Sequence, residues 1–305
     1  MSHPVLTGAE EGVMSHPVLT GVDGSAHSLA AAEWAAREAV LRDVPLHVLH
    51  AAPPLPGDVV PRQAEETLRQ VGERIVQEVI ADLSVRHPAL RTAAEQRAED
   101  PAEALLSAAH GCGLLVVGAR GSGGFDGLAV GSVALRVAAA AGLPVVVVPG
   151  PRPGAPGNGV RPVDAVPRVV LGLDAHRPAD GVADFAFGAA RSRGAVLRAV
   201  RAWALPAAAV SPRTLFVASE DRAAWEDEEV LRLSDALRTR QEKYPEVTVR
   251  ADVVLLHPAE ALLNASRGAD LLVVGRGGGR DRLGPVTHAV LHHTARPLAV
   301  VPYGG

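Results

Sequence analysis

The sequence predicts two tandem α/β domains, each a Rossmann-like, doubly wound unit with a five-stranded parallel sheet. Three observations carry that prediction. First, "PAEALLSAAHGCGLLVVGARG" at 101–121 aligns without a gap to "PAEALLNASRGADLLVVGRGG" at 258–278. "PVLTGVDGS" at 17–25 matches "RVVLGLDAH" at 168–176, and "GLPVVVVPG" at 142–150 matches "ARPLAVVPY" at 295–303. A period of about 150 residues marks duplication of a whole domain, far longer than a solenoid repeat. Second, "LLVVG" and "VVVVP" are apolar without alternation, as strands covered on both faces must be. Third, such strands alternate with helical patterns, which points to a parallel sheet between helical layers.

Each element follows in order. Domain one, residues 14–150, begins with strand "VLTGVD", a helix from about His27 to Leu41 and strand "LHVLHAA". The next helix places Leu68, Val71, Ile75, Val79 and Leu83 at steps of three or four, predicting one apolar face. A short strand near 91–98 precedes Asp100-Pro101, a helix start in which Asp caps and Pro takes the first helical position. That helix ends near Gly111. Strand "LLVVG", a glycine-rich loop, a last helix and strand "VVVVP" complete the unit. Residues 151–166 read as a linker, because Pro and Gly supply nine of the fourteen residues at 149–162. Domain two, residues 167–305, repeats the pattern with its long helix over roughly 221–243. "EDEE" at 226–229 reads as a solvated acidic face opening that helix. "MSHPVLTG" stands at 1–8 and again at 14–21, so residues 1–13 read as a duplicated extension and Met14 as the working start.

Composition narrows the function. Hydrophobic residues make up 48% of the 305 and aromatics 3%, so the cores must be built from Ala, Val and Leu. A net charge of −4 gives no electrostatic footprint for nucleic acid. The lone cysteine, Cys112, excludes an internal disulfide and fits a reducing compartment. No apolar run approaches the roughly 20 residues of a membrane span. A cytoplasmic protein without membrane or nucleic-acid partners is the expectation.

In a doubly wound sheet, ligands bind beyond the carboxyl ends of the strands. Three segments converge there in domain one: Val22, Asp23, Gly24 and Ser25 after the first strand, Ala51 at the end of the second, and the loop from Gly118. In that loop Gly118 and Gly121 are two residues apart, and nine residues separate Gly121 from Gly131-Ser132. Glycines let backbone N–H groups approach an anion, and a helix beginning at Gly131-Ser132 offers free N–H groups and its dipole to phosphate. Asp23 can accept from ribose hydroxyls or contact a metal ion.

The pattern G-x2-G-x9-G-[ST], with "GVDGS" after the first strand and "PAEALL" before the fourth, resembles the universal stress protein family in its tandem two-domain form. The resemblance covers about 15–150 and 167–303. It implies ATP binding in domain one with Mg2+ or Mn2+, and dimerisation through the last strand. By resemblance Asp23 contacts ribose or metal and the Ala51 backbone reads adenine. Gly118, Arg120, Gly121 and Ser122, with Gly131, Ser132 and Val133, would wrap the phosphates. The last strands would pair the domains, and a homodimer is expected.

Domain two departs from the motif. The equivalent positions are Asp174, Ala202, Gly275 and Gly278, but Gly284-Pro285 replaces the Gly-Ser pair and the spacer shrinks to five residues. Proline has neither hydroxyl nor N–H to give a phosphate. Arg276, Arg280 and Arg282 keep the loop basic. Loss or strong weakening of ATP binding is expected there.

Other readings compete. The protein could be a structural pairing module without nucleotide function. "SGGFDG" at 122–127 nearly matches the pyrophosphate loop of adenylating ATP pyrophosphatases, but it follows the fourth strand instead of the first. His50 reads as a structural histidine and Cys112 as inert packing. The loop holds no evident general base, so any ATP hydrolysis should be slow.

Overall fold

The computed structural model describes residues 16–54, 62–122, 129–150, 166–174, 179–204, 219–279 and 281–303. The duplicated extension and the Pro/Gly-rich linker lie outside these residues, apart from their borders.

The first half runs β1 (Val18–Gly21), α1 (Ala26–Arg42), β2 (Leu46–Ala51), α2 (Arg62–Arg86), β3 (Thr92–Arg97), α3 (Pro101–Ala108), β4 (Leu114–Gly118), α4 (Ser132–Ala140) and β5 (Val145–Val148). The second runs β6 (Arg168–Gly172), α5 (Asp180–Arg193), β7 (Val196–Trp203), α6 (Ser219–Lys243), β8 (Val249–Leu255), α7 (Pro258–Ala265), β9 (Leu271–Gly275), α8 (Pro285–His293) and β10 (Leu298–Val301). Local chemistry explains several boundaries. Ser25 caps α1 by accepting from Ser28 N, and Asp43 ends that helix in the left-handed region at φ 52°. Asp100 accepts from the N–H groups of Ala102 and Glu103 at the start of α3.

All ten strands form one sheet in the order β3-β2-β1-β4-β5-β10-β9-β6-β7-β8. Each half is parallel, and the halves meet where β10 pairs antiparallel with β5, Ala299 opposite Val146. The last strands therefore pair the domains within one chain, as expected. The strand edges that the resemblance would use for dimerisation are paired in that seam. A further consequence is directional: the carboxyl ends of the strands emerge on opposite edges of the sheet in the two halves.

Alternate residues of the strands feed two apolar layers, and each layer runs through both halves. Val18, Val48, Leu114 and Val146 pack under α1 and α2, continuous with Leu171, Leu197 and Phe187 of the second half. Leu19, Leu49, Leu115 and Val147 pack under α3 and α4, continuous with Leu272, Val274 and Leu298. The hydroxyl of Thr20, buried in β1, donates to Val116 O at 3.1 Å, so no polar group is left unpaired there.

The α1–α5 contact seals the seam on one side. Glu38, 1% exposed, binds Arg42 of its own helix at 2.6 Å and also pairs with Arg193 of α5. Arg193 lies over the Trp34 ring, and Arg42 over that of Phe185.

Two expectations are corrected. The apolar face of α2 is buried only toward its end: Val79 and Leu83 are in the core, whereas Leu68 and Val71 are 47% and 44% exposed. At that level the inward position is Gly72, buried against His50 and Gln96, and Leu68 and Val71 lie to the side of it. Glu229 does not sit on a solvated face at a helix start. It lies inside α6, 7% exposed, and binds Arg201 at 2.8 Å and Arg232 at 2.6 Å.

Candidate functional site

In the first half, the ends of β1 and β2 lie side by side. Val22 N donates to Leu49 O at 2.9 Å, and His50 Nδ1 meets Val22 O at 2.8 Å. The backbone of Val22 is thus committed to the fold. His50 is a satisfied structural histidine, packed against Gly72 of α2, where a Cβ would lie 2.5 Å from its ring. Ala51 closes β2 opposite Arg97.

Asp23 is the centre of the arrangement. Its Oδ1 accepts from Ser25 N at 3.0 Å, and its Oδ2 accepts from Ser122 N at 2.6 Å. One carboxylate therefore ties the turn after β1 to the glycine loop after β4, 99 residues away. Gly24 makes the turn with φ 79°, a conformation that favours glycine. Gly121 permits the loop to approach, because a Cβ there would stand 2.6 Å from Asp23 Oδ2. Burial alone would raise the Asp23 carboxyl pKa, but the hydrogen bonds from Ser25, Ser122 and Ser28 together hold it below the ordinary value, so Asp23 is an anion at neutral pH.

His27, which the sequence reading did not single out, lies against the same loop. A Cβ on Gly118 would meet its backbone at 2.7 Å, and one on Gly150 would meet its ring at 2.3 Å. Arg120 Nε stands 3.4 Å from His27 Nε2. Burial and the Arg120 charge push the His27 pKa down, against a smaller pull upward from Asp23. The only sequence-level hint was the pair Gly118 and Gly150, one ending β4 and the other following β5, and nothing local connects them to residue 27.

The phosphate end differs from expectation in one respect. Gly131 N is not free, since it donates to Ala119 O at 2.7 Å. The open donors are one step further on. Ser132 and Val133 are the first residues of α4, and Gly131 brings no side-chain cap. The stretch 123–128, and with it most of the pyrophosphatase-like "SGGFDG", lies outside the described residues.

The second half has the same frame with altered contents. A cavity of about 250 Å³ opens at the ends of β6, β7 and β9, bordered by Asp174, Ala202, Gly275, Gly284, Pro285 and Tyr303. Arg201 takes the place of His50 and spans it, reaching Glu229 at 2.8 Å and Asp174 at 3.2 Å. The carboxylate equivalent to Asp23 is thus answered by a guanidinium. The short loop is folded on itself: Gly277 bridges Leu283, and Gly284 N donates to Arg276 O at 2.8 Å. Gly278 lies so close to Arg282 that a Cβ would stand 1.9 Å from its carbonyl oxygen. Pro285 removes the first N–H of α8.

Of the loop arginines, Arg276 is turned to another use. Arg276 points away from the cavity and donates through Nη1 to Ala139 O at 3.0 Å and Ala141 O at 3.1 Å in the first half. Arg282 is exposed, and Arg280 lies outside the described residues.

Comparison with known proteins agrees with this frame. The model of the universal stress protein family matches residues 14–149 and 166–302. A universal stress protein of Mycolicibacterium smegmatis is 33% identical over 296 residues, covering 92% of this chain and 95% of that protein. A universal stress protein of Mycobacterium tuberculosis is 33% identical over 304 residues, covering 92% of each. A crystal structure of a universal stress protein from Archaeoglobus fulgidus superimposes with a TM-score of 0.67 over 95% of this chain and 98% of that one. At 17% identity it speaks to the fold alone.

Proposed function

The chain belongs to the universal stress protein family, and from that premise we propose that its first half is an ATP-binding module whose occupancy, not turnover, regulates a stress response. The observation that carries this reading is Asp23. Its ionised carboxylate is held between the β1 turn and the glycine loop, beside a glycine that leaves no room for a side chain. Such a group suits the hydroxyls of a ribose, while the uncapped start of α4 suits phosphate oxygens. These residues fit the nucleotide chemically. Among the described residues, no group of three or more His, Cys, Asp or Glu side chains is arranged to hold a metal. A Mg2+ or Mn2+ ion would therefore arrive on the phosphates, with Asp23 as its protein contact.

The same geometry argues for slow hydrolysis at most. His27 is engaged by Arg120, and Asp23 already accepts two backbone N–H groups. With the remaining lone pairs of Asp23 given to ribose or metal, no second base among the described residues of the loop is left to position an attacking water. The second half serves as a pairing partner, a role favoured by the β5–β10 seam and by the folded loop that ends at Pro285. Among the described residues no helix is long and apolar enough to cross a membrane; action in the cytoplasm is part of the proposal.

Calorimetric titration of the full chain with ATP and Mg2+ or Mn2+ tests the proposal. One site per chain is expected, weakened by Asp23→Asn. Absence of binding at millimolar ATP would overturn it, and two equal sites would overturn the assignment of the second half.

A further inference from the structure

We infer that Arg276, in the degenerate loop of the second half, is a positioning residue for the phosphate end of the site in the first half. The inference rests on the ATP reading above. It acts through α4, whose two ends face the two halves of the molecule.

α4 has nine residues, so about 13 Å separates its ends. Its first N–H groups, those of Ser132 and Val133, form the phosphate end of the candidate site. The crossover from β4 to β5 carries the helix back toward the amino ends of those strands. Because β5 and β10 are antiparallel, that edge is also where the carboxyl ends of the second half emerge. Arg276 follows β9 directly on this edge. Its Nη1 donates to the carbonyls of Ala139, in the last turn of α4, and Ala141, its C-cap. Carbonyls at a helix end lack intrahelical donors, and a cation there favours the dipole. Among the described residues no carboxylate pairs with Arg276, so its charge is spent on α4 alone.

The backbone holds this arginine in place. Arg276 N donates to Val301 O at 2.8 Å, and Gly284 N donates to Arg276 O at 2.8 Å. The equivalent residue in the first half is Ala119, with matching bonds: its N donates to Val148 O at 2.8 Å and its carbonyl accepts from Gly131 N at 2.7 Å. A methyl group reaches no helix end, so the brace runs one way only. The second half thus contributes to the first through a side chain that the family motif does not contain.

The test uses the full chain with Arg276→Ala, Arg276→Lys and Arg276→Gln, titrated with ATP and separately with adenosine. Arg276→Ala should weaken ATP measurably but by no more than about two- to fivefold, since the whole interaction of a charge with a helix end is the ceiling on what α4 can pass to its other end. Adenosine, which has no phosphate to meet α4, should bind as before. Lysine should restore most of the ATP affinity and glutamine should not. Unchanged ATP affinity in Arg276→Ala overturns the inference. So does a parallel loss of ATP and adenosine, which would mark a packing role. If Arg276→Ala does not fold, the comparison of Lys with Gln decides alone, equal affinities counting against the brace. Failure of the unaltered chain to bind ATP would instead remove the reading on which this one stands.

Discussion

Substituting Gly121 by Ala asks whether the contact between the glycine loop and Asp23 sustains ATP binding. The backbone at Gly121 is outside the left-handed region, so alanine adds no conformational strain. The new Cβ would stand 2.6 Å from Asp23 Oδ2, closer than real Cβ contacts come. Either the loop or the carboxylate must yield, and the first bond at risk is the 2.6 Å hydrogen bond from Ser122 N. A hydrogen bond to a charged group contributes about 1.5–3 kcal/mol. If the whole of it were needed to hold Asp23 for ATP, the dissociation constant would rise by at most about ten- to hundredfold. Calorimetry measures that rise, with thermal unfolding as the control. The bond is already made without ATP, so part of its loss should also appear as a melting temperature lower by a few degrees, limited because the loop is exposed at Gly121 and Ser122. Gly278→Ala makes the contrast, because its Cβ would collide with a backbone carbonyl at 1.9 Å and cost stability in the second half, while lowering ATP affinity by no more than Arg276→Ala does. Wild-type ATP affinity in Gly121→Ala would refute the reasoning, since Asp23 could then be displaced without consequence.

Gly118→Ala should act on the fold instead: its Cβ would press on the His27 backbone at 2.7 Å and push α1 outward. A loss of about 1–3 kcal/mol is expected, measurable by urea unfolding, and unchanged stability would contradict the packing described. Glu38→Ala leaves Arg193, 11% exposed, without its carboxylate across the seam, and should cost about 3–5 kcal/mol in the same assay. The His27 ring should titrate by NMR with a midpoint below 6.5, because burial and Arg120 outweigh Asp23. Its pKa is lowered in the folded state, so the stability it contributes is present above pH 6.5 and lost as pH falls through the folded value. A midpoint at or above 6.5 would contradict the arrangement.

The fold was legible because burial on both faces leaves its mark in continuous apolar strands, and because the chain states the pattern twice. The cap at Asp100 and the turn at Asp23 to Ser25 were also legible, since each depends on residues two or three apart. The rest depended on contacts that no local spacing records. Gly131 looked like a phosphate donor, yet its N–H is taken by Ala119 across the loop. Glu229 looked like one charge in a solvated run, until Arg201 from β7 arrived beneath it. Arg276 looked like part of a basic loop, but the antiparallel seam brings the end of α4 within its reach. In each case a partner more than ten residues away decided the role.

Joining both halves in one chain also changes what mutation can do at the seam. Where two identical subunits meet about a twofold axis, every substitution appears twice, and each residue must suit its own mirror contact. Here the two sides of the β5–β10 junction are encoded separately. Arginine can therefore stand at 276 while alanine stands at 119, and Glu38 can face Arg193 without a reciprocal pair. The fixed one-to-one ratio means that each altered side always meets the same partner, at any protein concentration. Asymmetry that a dimer of identical copies could not hold is here inherited as a single unit.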